Sequence, residues 1–407
     1  MLDCGDTLKP FPDFGRTLPT GWCRAQLDDV VDRASGHTPD QGKPEYWNGG
    51  VSWVSLADSA KLDQGYIVET DKQISHLGIR HSSAVLLPPE TVILSRDAGV
   101  GKSAVLKREM AVSQHFIAWS CSTKKALDPW FLYAWMQMQK PFFERMAVGS
   151  TIKTIGLPIF KRMTIDFPPL PEQRKIAEIL RTWDEALEKL TALRAAKVRR
   201  ISSLRQRLFE TEYASHSRLQ RAKDLFETVS ERARPDLPLL AVMQDIGIVR
   251  RDELDRRVAM PDGDTSTYKV VRPGDFVISL RSFEGGLEYS SIIGLVSPAY
   301  TVLRPTTDLI GDYYRHFFKS RSFIGRLDKL IFGIRDGKQI AFRDFGDVYI
   351  PAPPIADQEA HTRALGSLEA DLALEDERIA ALIRQKRGLM QKLLTGEWRM
   401  TKEEENA

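Results

Sequence analysis

An internal repeat constrains this chain more than any other feature. Pro168-Pro169-Leu170-Pro171-Glu172-Gln173 recurs as Pro353-Pro354-Ile355-Ala356-Asp357-Gln358, a displacement of 185 residues. The same displacement continues upstream, setting Lys153, Ile155, Phe160 and Ile165 on Lys338, Ile340, Phe345 and Ile350. Downstream it sets Leu180, Leu187, Leu204 and Leu208 on Leu365, Leu372, Leu389 and Leu393. One displacement held from Lys153 through Leu208, with apolar positions matched, marks a duplicated structural unit. Further upstream, Val92-Ile93-Leu94-Ser95-Arg96 meets Val277-Ile278-Ser279-Leu280-Arg281 at 185, and Val112 and Ser113 meet Val296 and Ser297 at 184, as a one-residue loop difference requires. Near the module starts, Leu27-Asp28-Asp29-Val30-Val31 is set against Leu225-Phe226-Glu227-Thr228-Val229, which needs longer early loops in the first module.

A chain of 407 residues is too long for one ordinary domain, and the repeat supplies the division. We expect a first module over 1–167, a long helix over 168–212, a second module over 213–352, a second long helix over 353–400, and a disordered tail over 401–407. Strand-like runs at Ala84 to Leu87, Thr91 to Ser95 and Gly274 to Leu280 alternate with helical stretches at Trp130 to Met146 and Asp312 to Leu330. The fold class is therefore α+β, mixed α/β, with two pseudo-symmetric globular modules.

From Glu172 to Glu210 there is neither Pro nor Gly, and so long a run is helix by propensity. Ile176, Leu180, Trp183, Leu187, Leu190, Ile201, Leu204 and Leu208 fall on alternating steps of four and three, a coiled-coil seam that Arg194 and Lys197 interrupt. The second copy runs Leu365, Leu368, Leu372, Ile379, Leu382, Leu389, Leu393, with Glu375 and Lys386 in seam positions and Gly396 as the cap residue. Each helix spans roughly 57 Å at 1.5 Å per residue. A lone amphipathic helix would simply pack on its own module. Duplication allows the two to lie antiparallel about a pseudo-twofold axis near residues 192 and 377. In that register Arg194 faces Glu375 and Leu190 faces Ile379.

Composition excludes several classes. Hydrophobic residues make up 42% and charged ones 28%, so the chain is not depleted in apolar residues as disordered chains are. No apolar run approaches the length of a membrane span and the first ten residues lack a basic start followed by an apolar stretch, so a cytoplasmic location is expected. Cys4, Cys23 and Cys121 are isolated and are expected to be reduced. No HxxxH or HExxH pair occurs among the seven histidines, so no metal site is expected. The net charge of +3 does not by itself call for nucleic acid. Gly99-Val100-Gly101-Lys102-Ser103 is not a P-loop, because Arg96 stands where a glycine is needed. Asp128-Pro129-Trp130-Phe131 lacks the second proline of the adenine-methyltransferase motif, and Pro261-Asp262 is not followed by the carboxylate-x-Lys of metal-dependent nucleases. No catalytic residue is expected.

Leu170-Pro171-Glu172-Gln173-Arg174-Lys175-Ile176-Ala177 and Leu394-Thr395-Gly396-Glu397-Trp398-Arg399 resemble landmarks of the specificity subunits of type I restriction-modification enzymes. Gly36-His37-Thr38-Pro39 with Glu45-Tyr46-Trp47, and the strand-loop from Val92 to Lys102, resemble elements of that family's target recognition domains. The resemblance covers nearly the whole chain. It departs at Ala356, which replaces a proline, and at Gly36-His37, where the family often has two glycines. It implies a non-catalytic subunit whose two target recognition domains each read half of a bipartite double-stranded DNA site. Its helices would dock two methyltransferase subunits, with restriction subunits joining the full complex. It also implies no cofactor in this chain, AdoMet on the methyltransferase subunits, and ATP and Mg²⁺ on the restriction subunit. A free-standing DNA-binding protein and a coiled-coil scaffold without DNA are the alternatives.

Two loops carry the residues suited to DNA. Gly149-Ser150-Thr151-Ile152-Lys153-Thr154 corresponds to Ile334-Arg335-Asp336-Gly337-Lys338-Gln339. Small residues let backbone amides approach phosphate, Lys153 and Lys338 supply counter-charge, and Thr151, Arg335 and Gln339 can bond phosphates or base edges. Ser95, Arg96 and Lys102 in one module, and Arg281 and Ser282 in the other, follow matched strands, where Arg suits a guanine edge or a phosphate. An ion pair of Arg96 with Asp97 is the structural alternative. Gln114 and His115 are either base readers or polar loop residues.

Overall fold

Each copy of the repeat folds on itself. The structure is a computed structural model that describes residues 17–215, 218–244, 247–254, 265–278, 286–331 and 342–400. It separates into two units, Met1–Thr191 with Arg378–Ala407, and Ala192–Glu377. Each unit thus takes one globular module together with part of each long helix.

In the first unit the chain runs β1 (Cys23–Gln26), α1 (Leu27–Val30), β2 (Asp32–Ser35), β3 (Trp47–Val54), β4 (Tyr66–Ile67), β5 (Lys72–Ile74), α2 (His76–Arg80), β6 (Val92–Ser95), β7 (Ser103–Leu106), β8 (Ala111–Val112) and β9 (Phe116–Ser120). These make a five-stranded sheet of order β2-β9-β6-β7-β4 and a smaller sheet of order β5-β3-β8. Every residue of β6 and β7 is buried, which is why both read as continuous apolar runs and not as alternation. Helix α3 (Pro129–Met146) starts where the Asp128 carboxylate accepts the N–H groups of Trp130 and Phe131 at 2.9 and 3.2 Å, a side-chain N-cap. It buries Phe131 and Phe143 against Trp119 and Phe160. After α4 (Leu157–Lys161), β10 (Thr164–Phe167) pairs antiparallel with β1, Cys23 opposite Phe167, and closes the module before α5 (Leu170–Ala214) begins.

The second unit runs β11 (Leu219–Arg221), α6 (Ala222–Leu225), β12 (Phe226–Val229), β13 (Leu240–Met243), β14 (Gly247–Arg250), β15 (Lys269–Val271), β16 (Phe276–Ile278), β17 (Glu288–Tyr289), β18 (Gly294–Val296) and β19 (Thr301–Pro305). It continues through α7 (Gly311–Phe318), α8 (Arg321–Ile331), α9 (Phe342–Gly346), β20 (Tyr349–Pro351) and α10 (Ile355–Leu394). The order β12-β19-β16-β17 repeats β2-β9-β6-β7, and the pair β11-β20 repeats β1-β10. Its core is aromatic, with Phe226, Phe276, Tyr314, Phe318 and Phe345 all buried in one cluster.

Four local expectations change. The module starts align as strand, helical turn, strand, so Leu27 matches Ala222, not Leu225. Leu27 N donates to Met163 O and Ala222 N to Val348 O, each at 2.8 Å, and those acceptors are themselves 185 residues apart. Ala84 to Leu87 forms no strand and makes only a bridge from Leu87 to Met110. The single helix expected over Asp312 to Leu330 is two, α7 and α8. At the break Ser320 N donates to Phe317 O at 2.9 Å and the Ser320 hydroxyl accepts the Phe323 N–H, ending one helix and capping the next. Cys23 is disulfide-bonded, contrary to the expectation of reduced cysteines. Cys121 is a free, buried thiol whose pKa burial pushes up to about 12.

The long helices serve both the modules and each other. Ile176 and Leu180 of α5 enter the first core beside Leu393 and Leu394 of α10, and Phe209 and Tyr213 enter the second beside Leu365. Burying each such side chain is worth about 1.5–3 kcal/mol. In the first unit Lys386 pairs with Asp184, and Arg399 with Glu172 at 2.9 Å. In the second, Lys197 pairs with Glu375 at 2.7 Å and Asp371 at 3.1 Å, and Arg205 with Glu369 at 3.5 Å. Within each unit, later residues of α5 therefore meet earlier residues of α10, so the segments run antiparallel. The expected pairing of Arg194 with Glu375 is corrected by one residue: Arg194 bonds Asp376, while Glu375, only 1% exposed, accepts from Lys197. The exposed guanidinium reaches a carboxylate on the flank of the helix, and the seam position next to it goes to the lysine one turn on. Leu190 and Ile379 are half-buried on the first unit's helical segments.

Candidate nucleic-acid interface

In the first module the two loops chosen from sequence meet. Val148 and Thr154 exchange backbone hydrogen bonds at 3.0 and 2.9 Å, closing a small hairpin over residues 149–153. Gly149 turns it at φ +130, and a Cβ there would lie 2.2 Å from Ile152 O, so no side chain fits. The hairpin docks on the end of β6: Ile155 N donates to Arg96 O at 2.9 Å, Ala98 N donates to Lys153 O at 3.3 Å, and Asp97 bridges Thr154. Arg96 N in turn donates to His115 O at 2.9 Å. The backbone thus brings residues 96–98, 115 and 153–155 into one cluster, and Thr151 and Lys153 on the hairpin are exposed.

Asp97 organises this cluster. Its Oδ2 lies 2.8 Å from His115 Nδ1, and its Oδ1 lies 3.9 Å from Arg96 Nε, too long for a hydrogen bond. Arg96 Nε is buried and makes no hydrogen bond. The structural alternative for Arg96 is thus met only as a long ion pair, leaving guanidinium donors for another acceptor. Gln114 is exposed and its Oε1 accepts the hydroxyl of Thr38, which ties the Gly36-His37-Thr38-Pro39 segment to the cluster. That segment lies hard against the sheet: His37 N donates to Val112 O at 3.1 Å, and a Cβ on Gly36 would sit 2.0 Å from the same oxygen.

Two expected residues are placed differently. Ser95 is fully buried and its hydroxyl donates to Asp97 O at 2.7 Å, so it shapes the loop from behind and does not stand on the surface. Lys102 is half-buried and its ammonium donates to Ser59 O at 3.1 Å. The Gly99 to Lys102 stretch is a tight turn with φ of +118 and +84 at its two glycines. In the second module Arg281, Ser282, Arg335, Lys338 and Gln339 lie outside the described residues. Sequence reading took Asp97 only as a partner for Arg96 and Thr38 only as part of the Gly36-His37-Thr38-Pro39 element; their bonds to His115 and Gln114 went unread, since each reaches a segment distant in sequence. Among the described residues no cluster of three His, Cys, Asp or Glu side chains could hold a metal ion, and no helix is long and apolar enough to cross a membrane.

Residues 19–197 match the family model described as Type I restriction modification DNA specificity domain. Two proteins of Methanocaldococcus jannaschii are similar in sequence. The type I restriction enzyme MjaIX specificity subunit is 26% identical over 178 residues, 43% of this chain and 40% of that protein. The type I restriction enzyme MjaVIII specificity subunit is 21% identical over 421 residues, 95% of each. The chain thus spans less than half the length of the first relative and nearly all of the second. In fold it is similar to the S subunit of a type I restriction-modification system from M. genitalium, with a TM-score of 0.52 at 16% identity over 95% of this chain and 99% of that one. It is also similar to a chain from a structure addressing complex assembly and conformational transition of the type I R-M system, with a TM-score of 0.56 at 17% identity over 94% of this chain and 100% of that one. Residues 19–197 therefore resemble the type I restriction modification DNA specificity domain, and the chain as a whole is similar in sequence to a type I restriction enzyme specificity subunit and in fold to a solved S subunit.

Proposed function

We propose that this chain is the sequence-specific DNA-binding specificity subunit of a type I restriction-modification complex, each module reading one half of a bipartite double-stranded site. The observation that carries this reading is the cluster at the end of β6, where Arg96, Gln114, Thr151 and Lys153 are held on one docked hairpin and its neighbouring strand ends. A guanidinium and an amide can bond base edges, while a lysine and a threonine on a glycine-turned loop can bond phosphates. The chain is a non-catalytic member of such a complex, in line with its family resemblance. Methyltransferase subunits would dock on the long helices and carry AdoMet, and restriction subunits would carry ATP and Mg²⁺, with no cofactor held by this chain. A duplicated pair of reading modules suits a DNA target whose two half-sites are related by the duplex's approximate dyad.

Methylome sequencing of cells with and without the gene tests the reading directly. One split adenine-methylation motif should disappear with the gene. The purified complex should then bind duplexes carrying that motif with an affinity that falls steeply as salt rises. An unchanged methylome, or a complex without sequence preference, would refute it.

A further inference from the structure

Gln173 and Gln358 occupy the same place in the two copies of the repeat and are both buried, at 0% and 4% exposure. A carboxamide taken out of water must find its hydrogen bonds in the protein. Gln173 Oε1 accepts the backbone N–H of Asp128, the N-cap of α3, at 2.8 Å, and Nε2 donates to Ala126 O at 3.0 Å and Pro168 O at 2.8 Å. Gln358 Oε1 accepts the backbone N–H of Ile310, the N-cap of α7, at 2.9 Å, and Nε2 donates to Pro353 O at 2.8 Å. Both side chains spring from the first turn of a long helix, the backbone N–H groups of the two glutamines bonding Pro169 O and Pro354 O at 3.1 Å. Each glutamine therefore joins three parts: the helix start, the Pro-Pro entry, and the N-terminus of its module's helix. The entries Pro168-Pro169 and Pro353-Pro354 have no backbone N–H to donate, so the joint cannot be stiffened by a main-chain ladder. Only an amide meets the pattern. Glutamate would set an anion against carbonyl oxygens, and leucine would leave an N-cap N–H and its facing carbonyls without partners.

We propose that Gln173 and Gln358 are paired positioning residues, each fixing the angle at which its module sits on its long helix, so that the complex discriminates between target sites differing only in the spacer between half-sites. The inference rests on the DNA-reading function proposed above. Adding one base pair moves a half-site by about 3.4 Å and turns it by about 35°. A stiff joint penalises that displacement, whereas a loose one follows it.

The test uses the whole complex, assembled with the wild-type chain, Gln173→Leu, Gln358→Leu or Gln173→Glu. Binding is measured to duplexes carrying the methylated motif with its own spacer or with one base pair added or removed. The wild type should prefer its own spacer by about tenfold or more, the scale of one mismatched base pair. The leucine variants should bind the native-spacer duplex within about threefold of wild type while the preference shrinks to about threefold or less, and Gln173→Glu should lose at least as much. Amide exchange should quicken at Asp128 in Gln173→Leu and at Ile310 in Gln358→Leu. Unchanged spacer preference, or an equal loss of affinity on every duplex, overturns the proposal, as does failure of both leucine variants to assemble. Should Gln173→Leu alone not fold, Gln358→Leu decides, because it breaks fewer bonds. A wild-type complex that binds without any sequence preference would instead remove the DNA-reading function itself, a separate result.

Discussion

Lys153 is the residue on which the DNA-facing assignment leans most. Its side chain is exposed, its carbonyl anchors the neighbouring loop, and it stands on a hairpin that a glycine alone can turn. In the assembled complex Lys153→Ala should weaken binding across all sequences and lower the slope of log affinity against log salt by about one, read by titration at several salt concentrations. A loss confined to one base position would make it a base reader. Gly36 poses a different question, because an alanine there would place its Cβ 2.0 Å from a backbone oxygen of β8. Backbone cannot swing aside as a side chain can, so Gly36→Ala should lower the melting temperature of the chain and disturb the Thr38 to Gln114 contact. Gly388, in α10, has open space around its would-be Cβ, and Gly388→Ala should instead stabilise the helix by about 1 kcal/mol, seen as a rise in the unfolding midpoint.

At the scale of elements, the joint between α7 and the two long helices is polar and buried. His316 is 1% exposed; Arg315 Nη2 donates to its Nε2 at 3.1 Å, and its Nδ1 lies 3.5 Å from Glu369 Oε1 without hydrogen-bond geometry. Burial first, then the charge of Arg315, with Arg205 adding and Glu369 and Asp312 opposing, pushes its pKa down to about 4. The folded state therefore keeps His316 neutral while the unfolded chain takes up a proton below about 6.5. Stability from this group is complete above that pH and is lost as pH falls from about 6.5 to about 4, a total of roughly 3 kcal/mol. Denaturant unfolding at pH 7.5 and pH 5 should show the decline, and His316→Gln should flatten it. The seam pair Lys197 and Glu375 makes a second element-level case. Lys197→Met leaves a buried carboxylate with only water to seek and should lower the melting temperature, whereas Lys197→Met with Glu375→Leu should recover it.

For the whole molecule, the proposed function, with each module reading one half-site, predicts a target in two parts. The complex should bind a duplex with both half-sites far more tightly than one in which either half is scrambled. Scrambling either half should cost on the order of several kcal/mol, measured by competition binding at fixed salt. Equal binding to the intact and half-scrambled duplexes would mean that one module reads alone.

Much of this was legible in the chain itself, and the physical reason is that repetition and periodicity are one-dimensional. The displacement of 185 held through the Pro-Pro entries, the long helices and the strands β6 and β16, because those positions are set by what one backbone segment must bury. The pairing of Leu27 with Ala222, the break between α7 and α8, and the one-residue shift that gives Arg194 to Asp376 were decided only by tertiary structure. Each depends on which partner lies across a gap, and sequence spacing does not carry that. The same division runs through the candidate site. Lysine, glycine and arginine at loop ends announced themselves by type and position, but Ser95 turned inward, Lys102 was spent on Ser59 O, and Asp97 became the organising group. Sequence by itself determined that there are two modules on two helices. Packing across distant segments determined which side chains are left free to meet a ligand, because burial and hydrogen-bond partners are assigned by neighbours in space.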